Sequence, residues 1–371
     1  MTSKNPVFIG TEAIERLMTW DALIPALRAA YAQPYDERTS PPRTFAKGPD
    51  ASLRALAAVP PGQRFMGAKV FGRGRNKGMN YLISLAEQET GEIRALVDAN
   101  KITAFRTAAT SALFVDALAP QAPMRLGVLG SGAEARSHVQ AMASLRPVES
   151  LRVYSPTPAN REKFASDFSA ALGIRCETAA TPAEALDGAS VAIAAARSHD
   201  ESPILHADAL QPGMLLVSVG STLPVQREID VSVIERCDLI VSDMPDEVAH
   251  ESGDMRAATA AGIAFEHKMR SLNALVRGEI ENHGAPAHVQ VRRLRAAGHR
   301  GRRTHLRTRH RRRPGRDAAH PVFLQTVNNP NQDRHRHGTL PTTRSTRMGP
   351  RTPQGRWRTW SSPPSPPTSK A

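Results

Sequence analysis

Two sets of residues in this chain of 371 have the types and the spacing to do chemistry. The first is a glycine turn. Met124-Arg-Leu-Gly-Val-Leu-Gly-Ser-Gly-Ala-Glu-Ala-Arg136 joins a short apolar run, Leu126 to Leu129, to a helical pattern carried by His138, Ala141, Met142 and Leu145. Such a run reads as a buried parallel strand, and strand, glycine turn, helix is the setting in which G-x-G-x-x-A binds a dinucleotide. Gly130 permits the tight turn, Gly132 lets a pyrophosphate approach the backbone, and Ala135 lets helix and strand pack closely. The free N–H groups at the helix start attract phosphate. Gly130, Ser131, Gly132, Ala133 and Ala135 are therefore the candidate phosphate-binding positions. An ordinary βα turn that binds nothing has the same pattern, so its surroundings must decide.

The second set is three cations in the first third of the chain, Arg43, Lys69 and Arg106. Lys69 sits in Gly67-Ala-Lys-Val-Phe71, where a strand pattern asks for apolar residues, and Arg106 in Phe105-Arg-Thr-Ala-Ala-Thr-Ser111, among small neighbours on a helix. A buried cation needs an anionic partner. Each of the three could pair with a carboxylate such as Asp98 or Asp116. Three together ahead of a dinucleotide motif suggest capture of a substrate carboxylate, with an arginine supplying bidentate bonds.

The elements that must position these residues follow from periodicity. Phe8 to Gly10 reads as a short strand, Thr11 as the N-cap of a helix over 13–19, and Asp21 as the cap of a second over 22–33. Strands are expected at 53–59, 65–71, 81–87 and 93–98, with a hairpin turn at Gln88-Glu-Thr-Gly-Glu92. A strong helix follows over 101–118, then a break at Ala119-Pro-Gln-Ala-Pro123. From 124 onward the rhythm becomes strand–helix: strands at 151–154, 175–178, 191–195, 215–219 and 239–242, with helices at 161–172 and 182–186. The fold class is α/β: a Rossmann-type doubly wound parallel sheet behind an N-terminal α+β domain. The expected boundaries are 1–119, 120–287 and a basic low-complexity tail, 288–371.

The net charge of +14 lies in that tail. Its 84 residues carry 20 basic and 2 acidic side chains, whereas the preceding 287 carry 29 and 33. The body is mildly acidic and has no electrostatic mark of a nucleic-acid binder. No run is long and apolar enough to span a bilayer. No basic-then-apolar leader opens the chain, and Cys176 and Cys237 suit a reducing compartment and simple core packing. A cytoplasmic location, no metal centre and no membrane or specific nucleic-acid partner are the expectations. His199, Asp200 and Asp243 are polar and lie near strand ends, where a site role and loop solvation account for them equally well.

Taken in order, Pro42-Arg43, Gly67-Ala-Lys69, Asp98 with Phe105-Arg-Thr-Ala-Ala109, Leu126 through Ala135, Leu210-Gln-Pro-Gly213, Val219-Gly-Ser221, Arg227-Glu-Ile-Asp230 and Glu251-Ser-Gly253 resemble the ornithine cyclodeaminase/mu-crystallin family. The ordered set runs over roughly residues 7 to 287. The resemblance implies NAD(P)-dependent chemistry at the Cα of an amino acid or the C=N of its imine, in a homodimer built through the first domain. It places Arg43, Lys69 and Arg106 at the substrate carboxylate, gives Lys69 a further role as proton donor near the imine nitrogen, and sets Gly220 beside the cofactor.

Two departures refine this. Cyclodeaminases of the family carry an Asp just after the Val-Gly that ends a strand; here Val219-Gly-Ser-Thr-Leu-Pro-Val225 offers Ser221 and Thr222 instead. A hydroxyl is no base near neutrality without activation, so imino-acid reduction, or the reverse oxidation, is expected over conversion of ornithine to proline and ammonia. After the second strand of the nucleotide domain, an NAD enzyme usually places an acidic residue on the ribose. Tyr154-Ser-Pro-Thr157, with Asn160 and Arg161 behind it, has none. NADP(H) is therefore the expected cofactor, NAD(H) the alternative, with Ser155, Thr157 and Arg161 near the 2′-phosphate.

The tail has two readings, a disordered basic arm that meets nucleic acid or the product of a reading-frame shift. His288-Val-Gln-Val-Arg-Arg-Leu-Arg-Ala-Ala-Gly-His-Arg-Gly-Arg-Arg-Thr-His-Leu306 can be written in legal codons that, read one base later, give Met-Phe-Lys-Ser-Val-Gly-Ser-Gly-Leu-Gln-Asp-Ile-Ala-Val-Ala-Glu-Leu-Thr. That peptide resembles the Phe-Lys-Ser-Val-Gly … Gln-Asp segment of the family, over a run too long for codon freedom to explain. In the family the segment forms a turn and helix returning to the first domain. The tail that replaces it has too little apolar surface to offset its ordering entropy, so residues 310–371 are expected to lack fixed structure and the chain to be poorly soluble and weakly active. Sequencing the gene across codons 280–295 is expected to show codons that encode the shifted peptide; codons incompatible with it end the idea.

Overall fold

The structure is a computed structural model that describes residues 5–33, 38–41, 43–75, 78–196, 200–221, 224–280 and the backbone of 287–290. Pro42, His199, Thr222 and the tail expected to lack structure lie outside the described residues.

The first layer follows the expected rhythm. Strand β1 (Val7–Ile9) leads into α1 (Thr11–Leu17) and α2 (Trp20–Tyr31), then β2 (Thr44–Lys47), β3 (Ser52–Ala58), β4 (Phe65–Arg73), β5 (Met79–Glu87) and β6 (Ile93–Asp98). They form one sheet in the order β1-β6-β5-β4-β3-β2, antiparallel except for β1 on β6. The caps differ from expectation. Gly10, not Thr11, caps α1, because the Thr11 hydroxyl donates instead to Asp98 (2.7 Å). Thr19, not Asp21, caps α2 by accepting from the Ala22 N–H. The edge strand β2 was not anticipated; four residues without apolar alternation give no period to read.

Helix α3 (Asn100–Leu118) is the spine. Residues 107–115 are all buried, because α2 and the first sheet lie on one side and α4 (Ala133–Leu145) on the other. Small side chains admit that double packing. The hydroxyls of Thr103, Thr107, Thr110 and Ser111 are satisfied on carbonyls four residues back, so the helix carries polar atoms without unpaired cost. One hydrophobic cluster runs from Leu23, Leu27 and Ile83 through Leu113 and Phe114 to Val128 and Ile193. The layers on either side of 119–123 therefore share a core.

The second layer alternates as expected: β7 (Met124–Leu129), α4, β8 (Val148–Tyr154), α5 (Pro158–Leu172), β9 (Arg175–Thr178), α6 (Pro182–Leu186), β10 (Val191–Ala194), β11 (Leu215–Ser218), α7 (Val231–Arg236), β12 (Leu239–Ser242), α8 (Pro245–Glu251), α9 (Gly253–Ala260), β13 (Met269–Ser271), α10 (Leu272–Val276) and β14 (Ala287–Gln290). The order is β13-β12-β14-β11-β10-β7-β8-β9, parallel throughout. The sheet is wound outward from β7 in both directions, which opens a crevice at the carboxyl ends of β7 and β10. No helix among the described residues is long and apolar enough to cross a membrane. Strand β14 extends regular structure past the expected break at 287 and lies between β11 and β12.

Candidate active site

The glycine turn is built as the motif requires. Gly130 has φ +112°, and a Cβ there would lie 2.7 Å from the Ala195 carbonyl oxygen. Its N–H donates to Tyr154 O (2.7 Å), while Ala195 N–H donates to Leu129 O (2.9 Å), so the turn is pinned between the exits of β8 and β10. A Cβ on Gly132, by contrast, would meet nothing within 4 Å. The fold does not need that glycine, which leaves room above it for a ligand. Gly132 also caps α4 with no side-chain bond, so the first N–H groups of a thirteen-residue helix face the crevice as an anion site.

Beside the turn, Ser131 Oγ donates to Ser155 Oγ (3.0 Å) and Arg161 Nη1 to the Ser155 carbonyl (3.0 Å). Ser131, Ser155 and Arg161 thus form one linked group at the exit of β8, where Thr157 caps α5 with an exposed side chain that makes no capping bond. Strand β8 ends in Tyr154, without a carboxylate.

The cation trio converges. Position 69 pairs with Leu56 and Ile83 across the sheet, on the face that packs against the helices, and Lys69 is accordingly buried. Its Nζ donates to Thr103 Oγ1 of α3 (3.0 Å) and stands 4.9 Å from the centroid of the Tyr81 ring and 5.6 Å from that of Phe71. Arg106 lies three residues on along α3. Burial, then the charges of Arg106 and Arg43, hold the Lys69 ammonium well below the usual lysine range. The two arginines do pair with carboxylates, but not Asp98 or Asp116. Arg106 donates to Asp243 (3.4 Å), and Arg43 to Glu247 and to Met244 Sδ (3.2 Å). Asp116 instead takes Arg28 and Arg146, and Asp98 takes Thr11 and Asn100.

Of the two readings open for Asp243, loop solvation falls: it is a buried counter-ion at the exit of β12. Asp200 does sit in an exposed turn, accepting from Ser202. Glu247 and Asp243 carried no signal in the chain, since their partners lie 204 and 137 residues away. A third missed group is Glu228. It is fully buried, and burial pushes its carboxyl up to about 8, while neighbouring Asp254 is raised to about 6 by the same cause. The stretch Arg227-Glu-Ile-Asp230 has three charged residues in four, which gives no local sign that Glu228 is buried.

Other nucleophile candidates are structural. Ser111 and His138 share a 3.0 Å hydrogen bond, but both are fully buried between α3 and α4, and the second ring nitrogen is bound to Glu134 O. Burial pushes Cys176 to about 11 and Cys237 to about 12, which makes neither a thiolate near neutrality.

The chain and its fold resemble known proteins. Ketimine reductase mu-crystallin of Mus musculus is 28% identical over 311 residues, covering 77% of this chain and 90% of that protein. A structure described as a probable ornithine cyclodeaminase from Bordetella pertussis Tohama I superimposes with a TM-score of 0.68 at 25% identity, covering 78% and 92% of the two chains. The Thermococcus litoralis Delta(1)-pyrroline-2-carboxylate reductase, solved with NADH and L-proline, shares the fold at TM-score 0.68 and 23% identity, covering 77% and 92%.

The two central glycines separate by experiment. Gly130→Ala is expected to lower stability by about 2 kcal/mol or more, from a strained φ and a backbone clash. Gly132→Ala should leave the urea midpoint unchanged while weakening NADPH binding about tenfold or more by fluorescence titration, because the added methyl occupies ligand space.

The profile of the ornithine cyclodeaminase/mu-crystallin family matches residues 4–291, and the chain belongs to that family.

Proposed function

We propose that the chain is an NAD(P)-dependent oxidoreductase that works at the C=N of an imino acid or the Cα of an amino acid, an imine or ketimine reductase rather than a cyclodeaminase. The observation that carries this is the meeting of Arg43, Lys69 and Arg106 on one side of a cleft whose other wall holds the sheet's carboxyl edge. Lys69 matters most. Its polar partner is a neutral hydroxyl, and its ammonium lies beside the stacked rings of Tyr81 and Phe71. That is a buried charge poised for an anion.

A substrate carboxylate would take the place that Asp243 and Glu247 hold against the two arginines, with a guanidinium offering paired donors in one plane. A bound nicotinamide supplies the hydride. The protein's part is to fix the acid so that the reacting carbon faces that ring and to deliver a proton to the nitrogen. Lys69 suits that delivery, because its lowered basicity brings proton release toward neutral pH.

The reductase reading over cyclodeamination rests on Ser221. Its hydroxyl donates to Gln226 O (2.7 Å), accepts from Asp254 N–H (3.1 Å) and is buried. It is a structural clip with no role left as a base. NADP(H) preference rests on the group formed by Ser131, Ser155 and Arg161 with Thr157 beside it, a cradle of hydroxyls and one guanidinium without a repelling carboxylate. Cofactor contacts at Gly130 through Ala135 and at Gly220 complete the reading. A homodimer is proposed through the first sheet. The face turned away from the helices presents Leu53 and Leu82, both exposed, with Ala55 and Val70 between them in register, and a second copy would cover it.

A panel of cyclic imines, imino acids and amino acids, run with NADPH and NADH on a frame-corrected chain, tests the reading. Reduction of one or more cyclic imino acids is the expected result. In that chain Lys69→Met should lower kcat by about 100-fold, whereas Arg106→Leu should act mainly on KM. Proline and ammonia formed from ornithine as fast as the best imine is reduced would reverse the ranking. In the same assays NADPH should outperform NADH. Equal or better use of NADH removes the cofactor preference and leaves the rest intact.

A further inference from the structure

The carboxyl edge of the second sheet holds a buried acid that the proposed chemistry does not use. Three backbone N–H groups just past the ends of β10 and β11 converge on one side chain there, that of Val219 being shared with Ala194 O (3.0 Å). Glu228 Oε1 accepts from Ala196 N–H (2.9 Å), just past β10, and Oε2 from Val219 N–H (3.0 Å) and Gly220 N–H (2.7 Å), just past β11. The Ser218 hydroxyl adds a fourth bond (2.7 Å). The approach is so close that a Cβ on Gly220 would lie 2.3 Å from Oε1. Position 220 is glycine because the carboxylate occupies the space beside it.

Glu228 is itself held from behind. Its N–H donates to Asp254 Oδ1 (2.9 Å), which also accepts from Arg227 Nε (3.2 Å), and its carbonyl accepts from Ile204 N–H (2.9 Å). Asp254 and Arg227 are the charged groups against it. The acid is thus a rigid staple between two strand exits, worth more than separate surface bonds because no water competes.

The place of this staple gives it a use. Sheet order sets β8 on one side of the Gly130 turn and β10, then β11, on the other. With the pyrophosphate at the turn, the adenosine half lies over β8 and the nicotinamide half over β10 and β11. We infer that Glu228 is a positioning residue for the nicotinamide half, its carboxylate tying the exits of β10 and β11 into the ledge on which that half rests. This rests on the dinucleotide reading above and extends it to a residue that touches no ligand.

The test separates the two halves of the ligand. The full 371-residue chain, as wild type, Glu228→Gln and Ser218→Ala, is titrated calorimetrically with NADPH and with adenosine 2′,5′-bisphosphate, which carries the adenosine half alone. Glu228→Gln should weaken NADPH about tenfold or more, since the amide NH2 in either orientation faces a backbone N–H that an acid oxygen now accepts, and leave the bisphosphate within about twofold. Ser218→Ala removes one donor and should show the same split at about threefold; it decides the matter alone if the glutamine variant fails to fold. Equal losses for both ligands, or no loss for either, overturn the inference while the dinucleotide reading stands. A wild-type chain that binds neither ligand overturns both.

Discussion

Removing charge from water is the constraint around which this protein is arranged. Lys69 occupies a place in β4 that the sheet would fill with an apolar side chain. Burial of an unpaired ammonium costs several kcal/mol, so the surroundings are arranged to limit that cost. Two aromatic rings lie near its charge, a threonine hydroxyl accepts one hydrogen bond, and the nearby guanidiniums are each closed by a carboxylate. The arrangement exceeds what the fold alone needs, since a leucine at 69 would pack with less trouble. Buried charge of this kind marks a site more often than a scaffold.

The same constraint explains why two layers share one core. The counter-ions Asp243 and Glu247 belong to the end of β12 and the start of α8, whereas the cations belong to the first layer and α3. Charges buried on one layer are matched only if the other is held at a fixed distance. A helix packed on both sides provides that, and α3 carries Thr103 and Arg106 on the face toward the site while its interior residues join the common cluster. Ser111 and His138 fasten the opposite face to α4, whose first turn follows Gly132. One rigid helix thus sets the distance between the cation trio and the glycine turn.

Much of this was legible in the chain. Period-2 and period-3.6 patterns located most strands and the long helices, and Gly130 and Gly132 marked the turn because a positive φ and an empty approach require that residue. Arg43, Lys69 and Arg106 stood out by being basic where their neighbours were apolar or small. What escaped was of two kinds. Caps were misplaced by a residue or two, because Thr11 and Asp21 compete with Gly10 and Thr19 for the same role, and at Thr11 the outcome depends on Asp98, distant in sequence. Counter-ions were missed because an acidic residue near a strand end has the same local pattern whether it is solvated or buried. Only tertiary contact distinguishes Asp200 from Asp243, or makes Glu228 an internal staple.

The second sheet also bears on the break in composition. Strand β14 lies between β11 and β12, with His288 in register with Leu216 and Ile240, and Gln290 with Ser218 and Ser242. Its neighbours are almost wholly buried, and a strand at the middle of a parallel sheet should read as a continuous apolar run. His-Val-Gln alternates, with a polar residue at each end. Read one base later, the same stretch begins Met-Phe, which sets Met in place of His at 288. The family match ends at 291, and the shifted peptide starts at the codon of residue 288. The limit of family likeness and the genetic code thus meet within four residues. That agreement favours a changed reading frame over an added basic arm, because an arm appended for its charge would have no reason to begin inside an interior strand of a sheet.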